Sequence, residues 1–249
     1  GLHSEGLMAK VAGEELREIP FYGLMETKIK GVDTVISQTG FTGEKGDEIY
    51  VRDAHQNAAI VWHSVLEAGE ECGLQVVAPA HHRRIAAGIL SWGQDMDFET
   101  SPFQVNLYYQ VPRNKEADYI GKEELERQRA VIDGGDFPFK MRMVGLIFGG
   151  KQITDYAPDF WLIADTDGND MGYITSPWWS PELNTNIALG WVPWTSSEIG
   201  TKLKVRLPDE YSESPGVPAE GEIVDVPFRE SVNPNKREVQ KAKGLDYAD

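Results

Sequence analysis

Apolar residues in the first half of the chain recur at two spacings, one typical of helices and one typical of strands. Val61, Val65 and Leu66 share a face at helical spacing and predict a helix over residues 54–70. The same patterns predict further helices at residues 1–11, 80–90 and 121–130, and strands at residues 21–29, 32–36, 48–52, 74–78 and 108–111. An antiparallel sheet with packed helices, an α+β domain, is therefore expected in this half.

The second half of the chain has short apolar runs at regular intervals. A glycine- and aspartate-rich linker at residues 133–136 precedes them. The runs, separated by Gly, Pro, Asn and Asp, lie at residues 141–148, 160–164, 172–175, 186–192, 202–206 and 222–227. Short strands with turn signals between them predict a small all-β barrel or sandwich, of which we expect the barrel.

These patterns predict three parts of the chain. We expect an α+β domain at residues 1–132 and a β-barrel domain at residues 137–228. Residues 229–249 are charged and are expected to form a tail that is either a terminal helix or disordered.

Composition narrows the classes of partner. The chain of 249 residues has a formal net charge of −16 and a pI of about 4.7, which disfavours non-specific binding to nucleic acid or anionic membranes. Cys72 is the only cysteine, so the chain cannot form an internal disulfide. We expect a cytoplasmic protein with neither nucleic acid nor a membrane among its partners.

The segment most informative about chemistry is residues 37–49, which reads Ser-Gln-Thr-Gly-Phe-Thr-Gly-Glu-Lys-Gly-Asp-Glu-Ile. Its glycines allow tight turns, and Glu48 begins an apolar strand. A carboxylate fixed there could accept two hydrogen bonds from a planar ring that carries N–H groups. The alternative is a hairpin with a solvated glutamate.

Residues 37–49 resemble the S-x-T-G-[YF]-T-G-E-x-G-x-E-I segment of the tetrahydrofolate-dependent aminomethyltransferase superfamily. That superfamily includes the glycine cleavage T-protein and folate-dependent O- and S-demethylases. Blocks at residues 90–97, 102–125 and 172–188 are similar to later family segments, in the same order and with similar spacing. The resemblance runs from residue 1 to about residue 228 and is to the C-terminal two domains of a longer protein.

The resemblance implies a tetrahydrofolate site. Glu48 matches the family residue that hydrogen-bonds the pterin ring, and Arg84 matches an arginine that faces the folate. Phe41 matches an aromatic position that stacks on the pterin or walls its pocket. The alternatives are a surface role for Arg84 and core packing for Phe41.

The resemblance also implies what this stretch of chain lacks. The family's principal catalytic carboxylate belongs to a preceding N-terminal part, so no catalytic residue is assigned here and the 249 residues alone are expected to be inactive. The implied partners are a small-molecule methyl or aminomethyl donor and the missing N-terminal domain, or a separate subunit that supplies it.

Departures from the T-protein pattern favour the demethylase branch. Gln38 replaces the usual arginine of S-R-T-G, and Asp47 replaces the usual aromatic residue. Methyl transfer from an O- or S-methyl substrate to N5 of tetrahydrofolate is then expected. The alternatives are a glycine cleavage aminomethyltransferase and, in another class, a non-catalytic folate-binding module.

Two other groups of residues invite a functional interpretation. His81 and His82 are adjacent on a predicted helix and therefore point about 100° apart, so no metal site is expected. The tryptophans of the predicted barrel form either its core or an aromatic wall near a flat ligand; they are Trp178, Trp179, Trp191 and Trp194.

Overall fold

The computed structural model describes residues 1, 3–79 and 81–228, which form two compact units. The first unit comprises the described residues up to 79, and the second comprises residues 81–228. The two units divide between residues 80 and 81, whereas the predicted domain division at residues 132–137 stays a prediction about family domains.

The first unit is a three-stranded antiparallel sheet with helices packed on one face. Its elements in chain order are α1 (Ser4–Ala12), β1 (Leu24–Ile29), β2 (Val32–Ser37), β3 (Glu48–Val51) and α2 (Ala54–Gly69), and the strand order is β1-β2-β3. Alternate strand residues such as Ile29 and Ile36 pack with Met8 of α1 and Val61 of α2. The remaining strand residues, which include Glu48, therefore lie on the face away from the helices.

Local backbone chemistry explains the ends of these elements. The β1–β2 hairpin turns at Lys30 and Gly31, whose φ angles of 50° and 83° suit a two-residue turn matched to the strand twist. Beyond α2, Gly73 has φ 69° and ends the short 3₁₀ turn that follows the helix.

The second unit contains a closed six-stranded barrel, two helices and long loops. Its helices are α3 (His81–Ala86) and α4 (Lys122–Asp133), and its strands are β4 (Met141–Phe148), β5 (Trp161–Ala164), β6 (Asp170–Ser180), β7 (Thr185–Pro193), β8 (Lys202–Val205) and β9 (Ala219–Val224). The strand order around the barrel is β4-β7-β6-β5-β8-β9. Its interior is filled by buried aliphatic side chains, among them Leu146, Ile163, Ile174 and Leu203.

The predicted fold class, an antiparallel α+β part followed by an all-β barrel, is confirmed. Three element predictions were wrong. Residues 74–78 are not a strand, because no neighbouring strand in the described chain pairs with them and a lone strand leaves its backbone groups unpaired. The helix predicted at 80–90 ends at Ala86, since Gly88 has φ 69° and closes its last turn.

The third wrong element is the strand at residues 108–111, which is a short 3₁₀ turn at Tyr108–Gln110. Asn106 precedes it with φ 60°, and the Leu107 N–H bonds back to the Pro102 carbonyl, so the chain is already reversing direction there. The predicted tail at residues 229–249 lies outside the described residues. Among the helices of the described segments, none is long and apolar enough to cross a lipid bilayer.

Candidate functional site

The sheet face that points away from α1 and α2 carries Glu48. Cross-strand pairing places Glu48 opposite Ser37, and Ser37 opposite Leu24 on the other neighbouring strand. The next row on this face contains Tyr50 opposite Val35. Leu24 and Tyr50 are 65% and 56% exposed, so a polar carboxylate lies among accessible apolar surface.

Two hydroxyl groups hold the Glu48 carboxylate. The Thr39 Oγ1 donates to Glu48 Oε2 at 2.5 Å, and the Tyr50 hydroxyl donates to the same oxygen at 2.9 Å. Thr39 also lies 3.2 Å from the Ser37 hydroxyl. Within the described residues, the second carboxylate oxygen, Oε1, accepts no hydrogen bond. Glu48 is thus oriented by protein donors and retains acceptor capacity.

The electrostatics around Glu48 follow from these contacts. The hydrogen bond and the charge of Glu48 raise the pKa of Tyr50 above its ordinary value, so the tyrosine remains a protonated donor. Burial raises the pKa of the adjacent Asp47, and the attraction of Lys45 offsets this in part. Phe41 is 48% exposed in the glycine-rich turn, and its predicted contact with a pterin stays a prediction.

Arg84 lies elsewhere, inside the second unit, and only 1% of its surface is exposed. Its Nη1 donates to Asp95 Oδ2 at 2.8 Å and to the Ile89 carbonyl at 3.1 Å. Its Nη2 donates to the Ser176 hydroxyl at 2.8 Å and to Gln94 Oε1 at 3.3 Å. Arg84 is therefore not a surface residue, which was the alternative prediction. The turn after α3 and strand β6 of the barrel enclose its guanidinium group.

Asp95 forms a buried ion pair with Arg84 and connects it to further hydrogen bonds. Besides Arg84, Asp95 Oδ2 accepts the Ser91 N–H at 2.8 Å. Its Oδ1 accepts the Thr175 and Ser176 hydroxyls at 2.6 and 2.5 Å. Four donors therefore saturate a fully buried carboxylate and join the loop after α3 to β6. The predicted contact of Arg84 with folate stays a prediction, while its observed partners favour a role in holding this loop.

The tryptophans of the barrel region divide between core and edge. Trp191 is buried, and its indole N–H donates to the Asp95 carbonyl at 3.1 Å. Trp178 is partly exposed, and its ring stacks on that of His81 with an interplanar angle of 27° and centroids 5.6 Å apart. Burial, with a further contribution from Arg84, lowers the pKa of His81. Trp191 thus fits the core interpretation.

No metal centre can be assembled from the described residues, because no three His, Cys, Asp or Glu side chains lie close enough together. His81 instead accepts a hydrogen bond at Nδ1 from Arg84 Nε, at 3.3 Å. That hydrogen bond requires that Nδ1 carry no proton, as in the neutral imidazole protonated at Nε2.

Sequence reasoning identified Glu48 but missed the residues that orient it. Tyr50 is two positions after Glu48 on one strand, so strand alternation alone places both on the same face. No sequence pattern predicts the contact of Thr39 with Glu48, because the path of the loop between β2 and β3 determines where the Thr39 hydroxyl lies. Asp95 lies in the family-like segment at residues 90–97, but that segment's sequence does not indicate that Asp95 is buried.

Two family models match the chain. The GCVT N-terminal domain matches residues 1–115, and the glycine cleavage T-protein C-terminal barrel domain matches residues 141–228. The second match begins at the first strand of the closed barrel.

Curated relatives match across the same region. Dimethylsulfoniopropionate demethylase DmdA of Ruegeria pomeroyi is 29% identical over 218 residues, which are 84% of this chain and 54% of that protein. An aminomethyltransferase of a Synechococcus species is 33% identical over 204 residues, 81% of this chain and 52% of that protein. The chain therefore spans about half the length of these relatives.

A solved structure shares the fold. The glycine cleavage system aminomethyltransferase T of Bartonella henselae superposes with a TM-score of 0.67 at 22% identity, over 91% of this chain and 57% of that one. Taken with the two domain matches, these findings show that the chain belongs to the glycine cleavage T-protein superfamily of aminomethyltransferases.

Proposed function

We propose that this chain is part of a tetrahydrofolate-dependent one-carbon transferase and that Glu48 binds the pterin ring. The observation that carries the proposal is the Glu48 carboxylate itself, which two hydroxyls orient while Oε1 accepts no bond from the described residues. An ionised carboxylate only accepts hydrogen bonds, and the pterin edge presents adjacent N–H donors to it. Exposed Leu24 beside it supplies apolar surface for a flat ring.

The relatives support one-carbon chemistry. One is named for demethylating dimethylsulfoniopropionate and another is named an aminomethyltransferase, and both names denote the movement of a one-carbon group. We propose tetrahydrofolate as the acceptor and a small-molecule methyl or aminomethyl compound as the donor. The proposed site would further include Phe41, which lies in the turn that precedes Glu48.

Within this class we propose a demethylase that passes a methyl group from oxygen or sulfur to N5 of tetrahydrofolate. Gln38 and Asp47, which depart from the T-protein pattern, support this branch. One relative of each kind matches at similar identity, 29% and 33%, so an assay must supply both kinds of donor.

The residues described would contribute binding and alignment. Methyl transfer between two bound molecules gains chiefly from holding donor and acceptor in line. A sulfonium donor leaves as a neutral sulfide and needs no acid, whereas an aryl ether requires protonation of its oxygen. We place the catalytic carboxylate in a polypeptide equivalent to the part of the relatives that this chain does not match.

Calorimetric titration with tetrahydrofolate tests the proposed site. The variant Glu48→Gln keeps the shape of the side chain but removes the charge and one acceptor, and it should bind at least about tenfold more weakly. The matched control is Glu26→Gln on the same sheet face, whose carboxylate pairs with Arg52 at 2.9 Å and should not affect binding. Equal affinity of the wild type and Glu48→Gln would refute the assignment of Glu48.

A turnover assay tests the division of labour. The 249 residues alone should give no methylated tetrahydrofolate with dimethylsulfoniopropionate, with a methoxyaromatic compound or with an aminomethyl donor. Full activity from these residues alone would contradict the placement of the catalytic carboxylate outside them. Binding that never leads to turnover, even with the complementing polypeptide present, would instead identify a folate-binding module.

A further inference from the structure

The hydrogen bonds of Glu48 are distributed unevenly between its two oxygens. Thr39 and Tyr50 both donate to Oε2, and among the described residues none donates to Oε1. A carboxylate oxygen presents two lone-pair positions, so the protein itself fills both positions on Oε2.

A flat ring with two adjacent N–H groups binds a carboxylate best with one N–H to each oxygen. One N–H can bind Oε1, which accepts no hydrogen bond from the described residues. The other N–H needs a position on Oε2, and therefore one of the two protein donors must leave. The structure indicates which donor this is.

Thr39 and Tyr50 differ in how firmly they are held. The Thr39 hydroxyl is partly buried, lies 2.5 Å from Oε2 and also contacts Ser37. The Tyr50 hydroxyl forms a hydrogen bond of 2.9 Å at the surface, and the residue is 56% exposed to solvent. An exposed tyrosine can rotate away into water and hydrogen-bond there at little cost.

We propose that Tyr50 is a displaceable stand-in for the ligand: its hydroxyl occupies the position on Glu48 Oε2 that the second ring N–H takes on binding. Thr39 remains in place and orients the carboxylate throughout. The inference rests on the proposed function, since it concerns the same ligand and the same carboxylate. It makes Tyr50 a specificity residue, because only a ring with two adjacent N–H donors replaces the bond that Tyr50 gives up.

The test compares tetrahydrofolate binding by the wild type with binding by Tyr50→Phe and Thr39→Val. Removing a competing internal hydrogen bond should tighten binding by Tyr50→Phe roughly three- to tenfold, whereas loss of the orienting bond should weaken binding by Thr39→Val to a similar degree. An analogue of tetrahydrofolate without the exocyclic 2-amino group should bind Tyr50→Phe and the wild type equally. Tyr119→Phe, in the second unit, is the control for loss of a tyrosine hydroxyl.

A tighter complex separates this role from structural damage, which would only weaken binding. A second measurement follows Tyr50 directly, by NMR of protein labelled at tyrosine Cζ. Because Glu48 raises the pKa of Tyr50, both Glu48→Gln and saturation with tetrahydrofolate should lower it toward the ordinary value.

The outcomes are distinguishable. Unchanged or weaker binding by Tyr50→Phe, with Glu48→Gln still impaired, overturns the displacement and leaves the proposed function intact. Unchanged ionisation of Tyr50 on saturation also overturns it. Binding that does not depend on Glu48, or no binding by the wild type and Tyr50→Phe alike, overturns both proposals.

Discussion

Two carboxylates of this protein, Glu48 and Asp95, are held by hydroxyl groups, but only one of them retains acceptor capacity. Asp95 is 1% exposed and accepts four hydrogen bonds, two on each oxygen, and one of the four comes from the charged Arg84. Glu48 is partly exposed and accepts two bonds, both on one oxygen. Saturation and burial indicate a structural carboxylate, whereas a fixed carboxylate with a remaining acceptor suits a ligand.

The contrast extends to what surrounds each group. The Asp95 network joins residues far apart in the chain, such as Arg84 and Ser176, and closes the barrel wall against the loop after α3. The Glu48 cluster lies on the open face of a three-stranded sheet among exposed apolar side chains. An ion pair inside the protein is therefore weaker evidence for ligand binding than a partly satisfied carboxylate on an open face.

The largest expected effect separates the two carboxylates by stability. Replacing Asp95 with Asn leaves the buried Arg84 charge uncompensated and should lower the free energy of unfolding by about 3–5 kcal/mol. Glu48→Gln removes bonds at a partly exposed site and should change that free energy by less than about 1 kcal/mol. Urea unfolding of both variants measures the difference.

Similar losses of unfolding free energy in Asp95→Asn and Glu48→Gln would contradict the distinction between a structural and a ligand-binding carboxylate. A double variant offers a sharper version, in which Arg84→Met is added to Asp95→Leu. Because a buried ion pair can be replaced by apolar groups at small cost, this variant should be more stable than Asp95→Asn.

A smaller effect is expected in the pH dependence of stability, through His81, which accepts a hydrogen bond from Arg84. Since the pKa of His81 is lowered in the folded protein below the ordinary 6.5, the unfolded chain binds the proton more readily. Stability from this group is present above about pH 6.5 and declines as the pH falls toward the lowered pKa. His81→Gln should therefore lose less stability than the wild type between about pH 7 and pH 5, by less than about 1 kcal/mol.

The measurement is urea unfolding at several pH values, with the slope compared between the two proteins. His55→Gln, at an exposed histidine of α2, is the matched control for the loss of a histidine side chain. A steeper loss for His81→Gln than for the wild type would contradict the neutral, hydrogen-bonded state of His81.

The smallest effect concerns Asp47, the neighbour of Glu48. Burial raises its pKa in the folded state above the ordinary 3.8, so ionisation opposes folding as the pH rises through that range. Asp47→Asn should be slightly more stable than the wild type near neutral pH, by less than about 1 kcal/mol, and no different below about pH 3.8.

Thermal unfolding at neutral and acidic pH checks this sign. Asp33 is a useful opposite case, because its hydrogen bond from Lys28 lowers its pKa. Asp33→Asn should not stabilise the protein at neutral pH. A stabilisation in both variants would point to a general effect of removing negative charge from a chain with net charge −16.

Local patterns predicted much of the fold. The strands at residues 141–148 and 32–36 and the helix over residues 54–70 were all recognisable, the last observed as Ala54–Gly69. These features depend on the side-chain period, which is a property of a few consecutive residues. The strand predicted at residues 74–78 failed because a strand also requires a neighbour, which apolar alternation does not supply.

The candidate site was predictable in part. The glycine-rich segment indicated that a turn would present Glu48 at the start of a strand, and the structure has β3 begin at that residue. That Tyr50 shares its face follows from alternation, but that the Tyr50 and Thr39 hydroxyls select the same oxygen does not. Side-chain rotation and loop path determine that choice.

By itself, the sequence determined most of the helices and strands, the two structural classes, the superfamily and the place of Glu48 at the start of a strand. The tertiary structure alone decided which polar side chains of the described residues are buried with all their hydrogen bonds made, and which remain exposed with an acceptor unused. Asp95 and its hydroxyl donors Thr175 and Ser176 are 80 and 81 positions apart in sequence, so no local pattern records their contact. Burial is a property of all the neighbours that a side chain acquires on folding, and the neighbours of Arg84, such as Ser176, come from distant parts of the chain.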